Sequence, residues 1–218
     1  MRSLIRAKNL LELYLFRRKW QKRNHHNETI PKRVFPIDKV RVGNYSYGSL
    51  DVYTWGADEE RLEIGSFVSI ASGVKFLLGG NHRVDTLLTF PVKVKFLNEK
   101  REAISKGPIV IEDDVWIGMD AMILSGSHIG KGAVIGAKTV VTGYVAPYSI
   151  HVGNPGRPLA FRFDKPVIER LQSLRLDSFS GKLISKHKEL FTAVLTETIL
   201  EELLSLGLEE GIDELRDS

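Results

Sequence analysis

The sequence predicts a mainly β protein, a left-handed parallel β-helix with a protruding loop and helices at both ends. Three observations carry that reading: a six-residue period, one long break in it, and helical patterning outside it. From Ile111 the chain reads IEDDVW, IGMDAM, ILSGSH, IGKGAV, IGAKTV, VTGYVA. The first position is always aliphatic (Ile111, Ile117, Ile123, Ile129, Ile135, Val141). The fifth is small or β-branched (Val115, Ala121, Ser127, Ala133, Thr139, Val145). A period of six fits neither an amphipathic helix, at about 3.6 residues, nor a free strand at about two. It is the pattern of a β-helix of hexapeptides. Each six-residue side packs its aliphatic residue into a narrow prism, the small fifth residue fits beside it, and glycine at the second position (Gly118, Gly130, Gly136) serves the corner. One coil cannot bury a core alone, so several must stack.

The period recurs upstream in IGSFVS (64–69), IASGVK (70–75) and Phe76, and weakly in VGNYSY (42–47). Between Phe76 and Ile109 it fails. That stretch holds Gly79, Gly80, Pro91, Gly107 and Pro108 together with several apolar residues and Asn81-His82-Arg83. A disordered linker would be poorer in apolar residues, so residues 77–108 are expected to be a functional loop. Residues 3–22 place Leu4, Ala7, Leu11, Tyr14, Leu15 and Arg18 along one helical stripe with a basic far side. Asp164 before Pro166 reads as a helix start, followed by a stripe from Leu183 to Leu204. Such helices are expected to cap the open ends of the coil stack. The division expected is 1–37, a basic helix and linker; 38–160, the β-helix; and 161–218, helical.

Composition narrows function. Apolar residues make up 43% and charged residues 27%, the balance of a soluble globular chain. No apolar run approaches the roughly 20 residues needed to cross a bilayer. Charges at Glu12, Arg17, Arg18 and Lys19 interrupt any secretory signal core, so a cytoplasmic location is expected. The absence of cysteine removes disulfides, thiolate metal sites and a cysteine nucleophile. The net charge of +4 is unevenly spread: residues 1–33 carry ten Lys or Arg, and residues 197–218 eight Asp or Glu. Both ends read chiefly as solvated helical faces, with membrane contact the lesser reading. No motif supports nucleic-acid binding. A zinc hydratase of the same architecture needs three clustered histidines, whereas His82, His128 and His151 form no close pair in sequence. A nucleotidyltransferase needs a glycine-rich domain ahead of the repeats, which residues 1–40 do not supply.

Gly80-Asn81-His82-Arg83-Val84-Asp85, Phe90-Pro91, Asp114-Val115-Trp116-Ile117-Gly118 and Gly153-Asn154-Pro155-Gly156-Arg157-Pro158 occur in that order. Val42–Tyr47 and Arg162-Phe163-Asp164 extend the match. In these motifs the chain resembles the hexapeptide xenobiotic acetyltransferases, which act on chloramphenicol and streptogramins, and their polysaccharide O-acetyltransferase relatives. The resemblance implies acetyl-CoA as co-substrate, no metal, and direct transfer to a hydroxyl with His82 as general base. Histidine suits that role near neutral pH. It further implies a CoA groove at Trp116, Gly136, Ala137, Thr142 and Gly143, with Arg157 on a CoA phosphate. Acceptor contacts fall at Tyr45, Asn81 and Asp85, and the sites lie between protomers of a homotrimer. Asp85 and a backbone carbonyl are both open as partners orienting His82. Where some sugar-specific relatives carry an oxyanion serine, this chain has Met119, which leaves that role to a backbone amide. Three acceptor readings follow: a sugar hydroxyl in surface polysaccharide synthesis, an antibiotic, or an inactive structural β-helix. The segment Leu174–Phe179 lacks the tryptophans of the drug-modifying enzymes, and the loop mixes Arg83, Lys93, Lys95 and Asn98 with Phe90 and Phe96, which favours the sugar.

Overall fold

The structure, a computed structural model, describes residues 2–213. It divides into two compact units, residues 1–162 and 163–218.

The first unit is a prism of three parallel faces. One face stacks β1 (Glu28–Pro31), β3 (Tyr47–Tyr53), β5 (Ser69–Ile70), β8 (Trp116–Ile117), β11 (Val134–Ile135) and β14 (Ser149–Val152). A second stacks the end of β3, β6 (Lys75–Leu77), β9 (Met122–Leu124) and β12 (Val140–Val141). The third stacks β2 (Val40–Val42), β4 (Leu62–Ile64), β7 (Ile109–Ile111), β10 (His128–Ile129) and β13 (Tyr144–Val145). The chain visits the third, first and second faces in turn, so Trp116 pairs with Val134, Met122 with Val140 and Val110 with His128, each pair 18 residues apart. This is a parallel β-helix with three hexapeptides to a coil.

The sequence period maps onto burial. Ile111, Ile117, Ile123, Ile129, Ile135 and Val141 fill the interior, with Val115, Ala121, Ser127, Ala133 and Thr139 beside them. Each fully buried isoleucine contributes roughly 1.5–3 kcal/mol of transfer free energy. The role expected of glycine is divided between two positions. The left-handed backbone of the corner falls at the fourth position, at Tyr45, Phe67, Gly73, Asp114, Asp120, Gly126, Gly132 and Lys138. The second-position glycine answers to stacking: a Cβ on Gly118 would stand 2.6 Å from the Ala137 nitrogen in the next coil. The sixth hexapeptide is also shorter than its sequence phase indicates. Val145 pairs with Ile129 and so stands in the aliphatic first column, not the fifth. The corner between β12 and β13 thereby loses two residues, and Thr142-Gly143 form a tight, exposed bend. One hexapeptide further, His151 pairs with Ile135 and takes the equivalent interior position on the first face, where burial lowers its pKa.

The N-terminal segment lies within the first unit. β1 adds a strand ahead of β3, and α1 (Arg2–Arg23) packs on β1. The docked side of α1 differs from the stripe the sequence indicates. Phe16 and Trp20 face inward onto Phe35, with ring centroids 4.9 and 5.4 Å apart, while Leu11, Tyr14 and Leu15 face outward. At the other end β15 (Arg157–Phe161) folds back antiparallel on β14.

The second unit comprises α3 (Lys165–Gln172), α4 (Gly181–Lys186), α5 (Lys188–Thr192) and α6 (Glu197–Asp213). Asp164 caps α3 by accepting from the Val167 amide. Ile168, Leu171, Leu174, Phe179, Leu190 and Leu200 are its buried apolar residues. The acidic stretch 197–218 runs beyond the described residues. Among the described residues, no helix is long and apolar enough to cross a membrane.

Candidate active site

The loop leaves the prism after β6, at the corner between the second and third faces, and returns at β7. Its neck is closed by backbone hydrogen bonds in both directions between Asn81 and Ile104. The Asn81 amide donates to the Ser125 hydroxyl at 3.0 Å, and that oxygen also accepts from the Lys106 amide. Ser105 donates to the Leu78 carbonyl. Asn81, expected at the acceptor, is thus the residue that ties the loop to the next coil. The region expected to be unpatterned includes a short helix, α2 (Val92–Phe96), starting after Pro91. Phe96 lies 5.9 Å from Phe90, centroid to centroid.

His82 is exposed on this loop, and its Nδ1 is 2.6 Å from the Thr89 carbonyl oxygen. A carbonyl only accepts, so the hydrogen bond requires the proton on Nδ1. That leaves Nε2 with its lone pair free to take a proton. Asp85 is engaged elsewhere. Its two carboxylate oxygens accept from Nε and Nη2 of Arg83 at 2.9 and 2.6 Å. That contact lowers the Asp85 carboxyl to about 2. Of the two partners left open by the sequence, the backbone carbonyl is the one that holds the ring.

A cavity of about 190 Å³ adjoins His82, walled by Trp55, Leu88, Pro91 and Val94 and rimmed by Thr86, Thr89, Arg83, Lys100, Arg101 and Glu102. A more open cleft on the other side is lined by His82 with Asn81, Val84, Asp85, Ile104 and Lys106. Trp55 is the residue that sequence reasoning missed. It lies in residues 48–61, where the six-residue period lapses, and only an aromatic residue amid that lapse marked it. It is fixed from below: the buried Glu60 carboxylate accepts from the Trp55 and Gly56 amides at 2.8 and 3.1 Å. Gly80 has φ +82°, and a Cβ there would stand 2.6 Å from the Trp55 ring, so only glycine brings the loop neck against that tryptophan. Arg101 reaches the Gly56 carbonyl across the cavity.

The remaining candidates lie on two edges of the prism. Thr142 and Gly143 occupy the corner that carries the loop neck, one coil beyond Ser125 and Gly126; the His128 amide donates to the Gly143 carbonyl. Gly136 and Ala137 sit at the corner between the first and second faces. Ala137 is exposed there beside Met119, whose carbonyl accepts from the Lys138 amide. The turn through Asn154 and cis-Pro155 covers this corner, with the Gly156 amide donating to the Val140 carbonyl. Arg157 extends outward from it, exposed. Trp116 is 56% exposed on the first face. Tyr45 stacks on Phe67 at 5.0 Å, on the third edge, and lines neither cavity beside His82. One chain therefore brings His82, Asn81 and Asp85 together, with Thr142 and Gly143 on the same corner one coil beyond the loop neck, and leaves Trp116, Gly136, Ala137, Arg157 and Tyr45 apart from them.

Residues 108–143 match the family described as bacterial transferase hexapeptide (six repeats). A probable macrolide acetyltransferase of Lysinibacillus sphaericus is 39% identical over 153 residues, covering 67% of this chain and 83% of that protein. The chain belongs to the hexapeptide-repeat acetyltransferases. A chloramphenicol acetyltransferase of Agrobacterium fabrum is 42% identical to this enzyme, covering 67% of it and 78% of the relative. Among solved structures, a hexapeptide-repeat acetyltransferase of Vibrio cholerae is 29% identical over 63% of this chain and 73% of its own, with a TM-score of 0.49. On the two relatives in sequence, the protein is an acyltransferase.

Proposed function

We propose that the protein is an acetyl-CoA-dependent O-acetyltransferase acting on a hydroxyl of a sugar, in surface polysaccharide or its precursors. The observation that carries it is the His82 ring, oriented by the Thr89 carbonyl with Nε2 free, beside a cavity that pairs one aromatic wall with a polar rim. Nε2 accepts the hydroxyl proton as the acceptor oxygen attacks the thioester carbonyl. The C–S bond then breaks, and the departing CoA thiolate takes the proton back from His82. With no cysteine, no thioester forms on the protein.

The proposed assembly is a trimer of left-handed β-helices. Two features support it. The walled cavity at His82 falls short of the roughly 300–1,000 Å³ of a complete ligand pocket, and the larger cleft of about 720 Å³ on the other side of His82 is more open. The loop also exposes Val84 and Leu87 almost entirely, together with Leu88, Phe90 and Phe96. A neighbouring copy would cover these side chains and bring its own corner of Ala137, Trp116 and Arg157 to His82. Arg157 then meets a phosphate of CoA, for which guanidinium is well shaped. Trp55 suits the apolar face of a sugar ring, and Thr86, Thr89, Arg101 and Glu102 suit its hydroxyls.

The second reading, transfer to an antibiotic, is favoured by the similarity to a probable macrolide acetyltransferase and a chloramphenicol acetyltransferase. A thiol-release assay with acetyl-CoA separates the two, comparing mono- and oligosaccharides, nucleotide sugars, chloramphenicol, a macrolide and a streptogramin at matched concentrations. A saccharide is expected to be acetylated faster than every drug by about tenfold or more. Rapid acetylation of a drug with all saccharides inert would reverse the assignment.

A further inference from the structure

We propose that α1 is a docking ledge for an anionic lipid surface, and that it holds the enzyme against a membrane without entering it. The helix has two apolar sides. One is spent on the fold: Phe16 and Trp20 pack on Phe35, the Trp20 indole nitrogen donates to the Thr29 hydroxyl at 3.1 Å, and Arg17 donates to the Pro31 carbonyl at 2.8 Å. These contacts fix which side of α1 faces solvent. At about 100° per residue, Leu10, Tyr14, Leu11 and Leu15 then share the opposite arc, about two fifths of the circumference. All four are more than half exposed.

Cations are interleaved with them. Arg18 and Lys22 fall between the leucines, and Lys8 and Lys19 border them. All four are exposed, and among the described residues none has a hydrogen bond or ion pair with another side chain. Glu12, at the margin of the arc, is the only acidic residue of α1. This contrasts with the inward side, where Arg17 and Arg23 both have partners within the unit. Large apolar side chains alternating with unpaired cations match the chemistry of a phospholipid boundary. The leucines and Tyr14 enter the acyl margin while the cations meet lipid phosphates. A nucleic acid would meet the cations but leave four apolar side chains in water.

The test uses the intact protein and vesicles, either of phosphatidylcholine alone or with about one third phosphatidylglycerol. Binding is expected only to the latter, falling as salt rises, since the cations act through the surface potential. Reversing Lys8, Arg18 and Lys22 to glutamate should weaken binding by about a hundredfold. Leu11→Ser with Leu15→Ser should weaken it by about tenfold or more. Both variants should keep wild-type oligomeric size and acetyl transfer in solution, because these side chains leave the fold's own contacts untouched. Failure of the wild type to bind anionic vesicles, equal binding to both vesicle types, or variants that bind like the wild type would each overturn the proposal. A change of oligomeric size in the variants would instead make the arc a contact between copies.

Discussion

Replacing His82 with alanine is expected to lower turnover by about 10²–10⁴-fold while leaving acetyl-CoA affinity nearly unchanged. General-base removal has that worth, equivalent to about 3–5 kcal/mol of transition-state stabilisation. The split follows from position. His82 is on the loop, held by the Thr89 carbonyl, whereas the proposed CoA groove is built from coil corners. The side chain is exposed and contributes nothing to the prism core, so loss of activity would not reflect loss of fold. His82→Gln should be nearly as poor as alanine, since an amide side chain can donate a hydrogen bond to the Thr89 carbonyl but cannot accept the proton. Turnover within tenfold of wild type, with the oligomer intact, would remove His82 from the chemistry.

The second large effect concerns where a site is made. Ala137→Trp places a bulky ring at an exposed corner of the proposed groove and should abolish transfer, as His82→Ala nearly does. Neither defect is repaired within its own chain. In a trimer whose sites pair one copy's loop with the next copy's corner, any hybrid of the two variants contains one site with His82 and Ala137 both native. Hybrids isolated with two affinity tags should therefore recover about one third of wild-type turnover from two nearly inactive parents. Hybrids as inactive as their parents would mean that loop and corner act within one chain.

The interior of this protein was legible from the sequence because the six-residue period is itself the geometry of a coil face. The aliphatic first column from Ile111 to Val141 is buried throughout. What the period concealed was its own end. VTGYVA scans as one more repeat, but Val145 has already moved into register with Ile129, and the cause is the pairing of β13 with β10, which no local pattern reveals. α1 misled for a related reason. A helix apolar on two sides does not say which side it buries, and the choice was made by Phe35, distant in sequence from Leu11 and near Trp20 in space.

The site divides in the same way. His82 and the motifs around it were visible as residues, and the general-base role proposed for His82 comes from their resemblance to known acetyltransferases. The partner of His82 was not, because a carbonyl at Thr89 is a property of backbone path, and Asp85 was the more conspicuous candidate until Arg83 claimed it. Trp55 was hidden because the residues that position it, Glu60 and Gly80, are separated along the chain and joined only by the fold.

The most direct measurement is to follow isotopically labelled acetyl from acetyl-CoA, with the intact mass of the protein recorded at each time point and a saccharide acceptor present or absent. The expected result is label passing to the acceptor as an oxygen ester, one CoA released per ester, and a protein that never gains an acetyl group on the timescale of turnover. An acetylated protein that forms and decays as fast as product appears, or CoA release that is the same with and without acceptor, would contradict direct transfer assisted by His82.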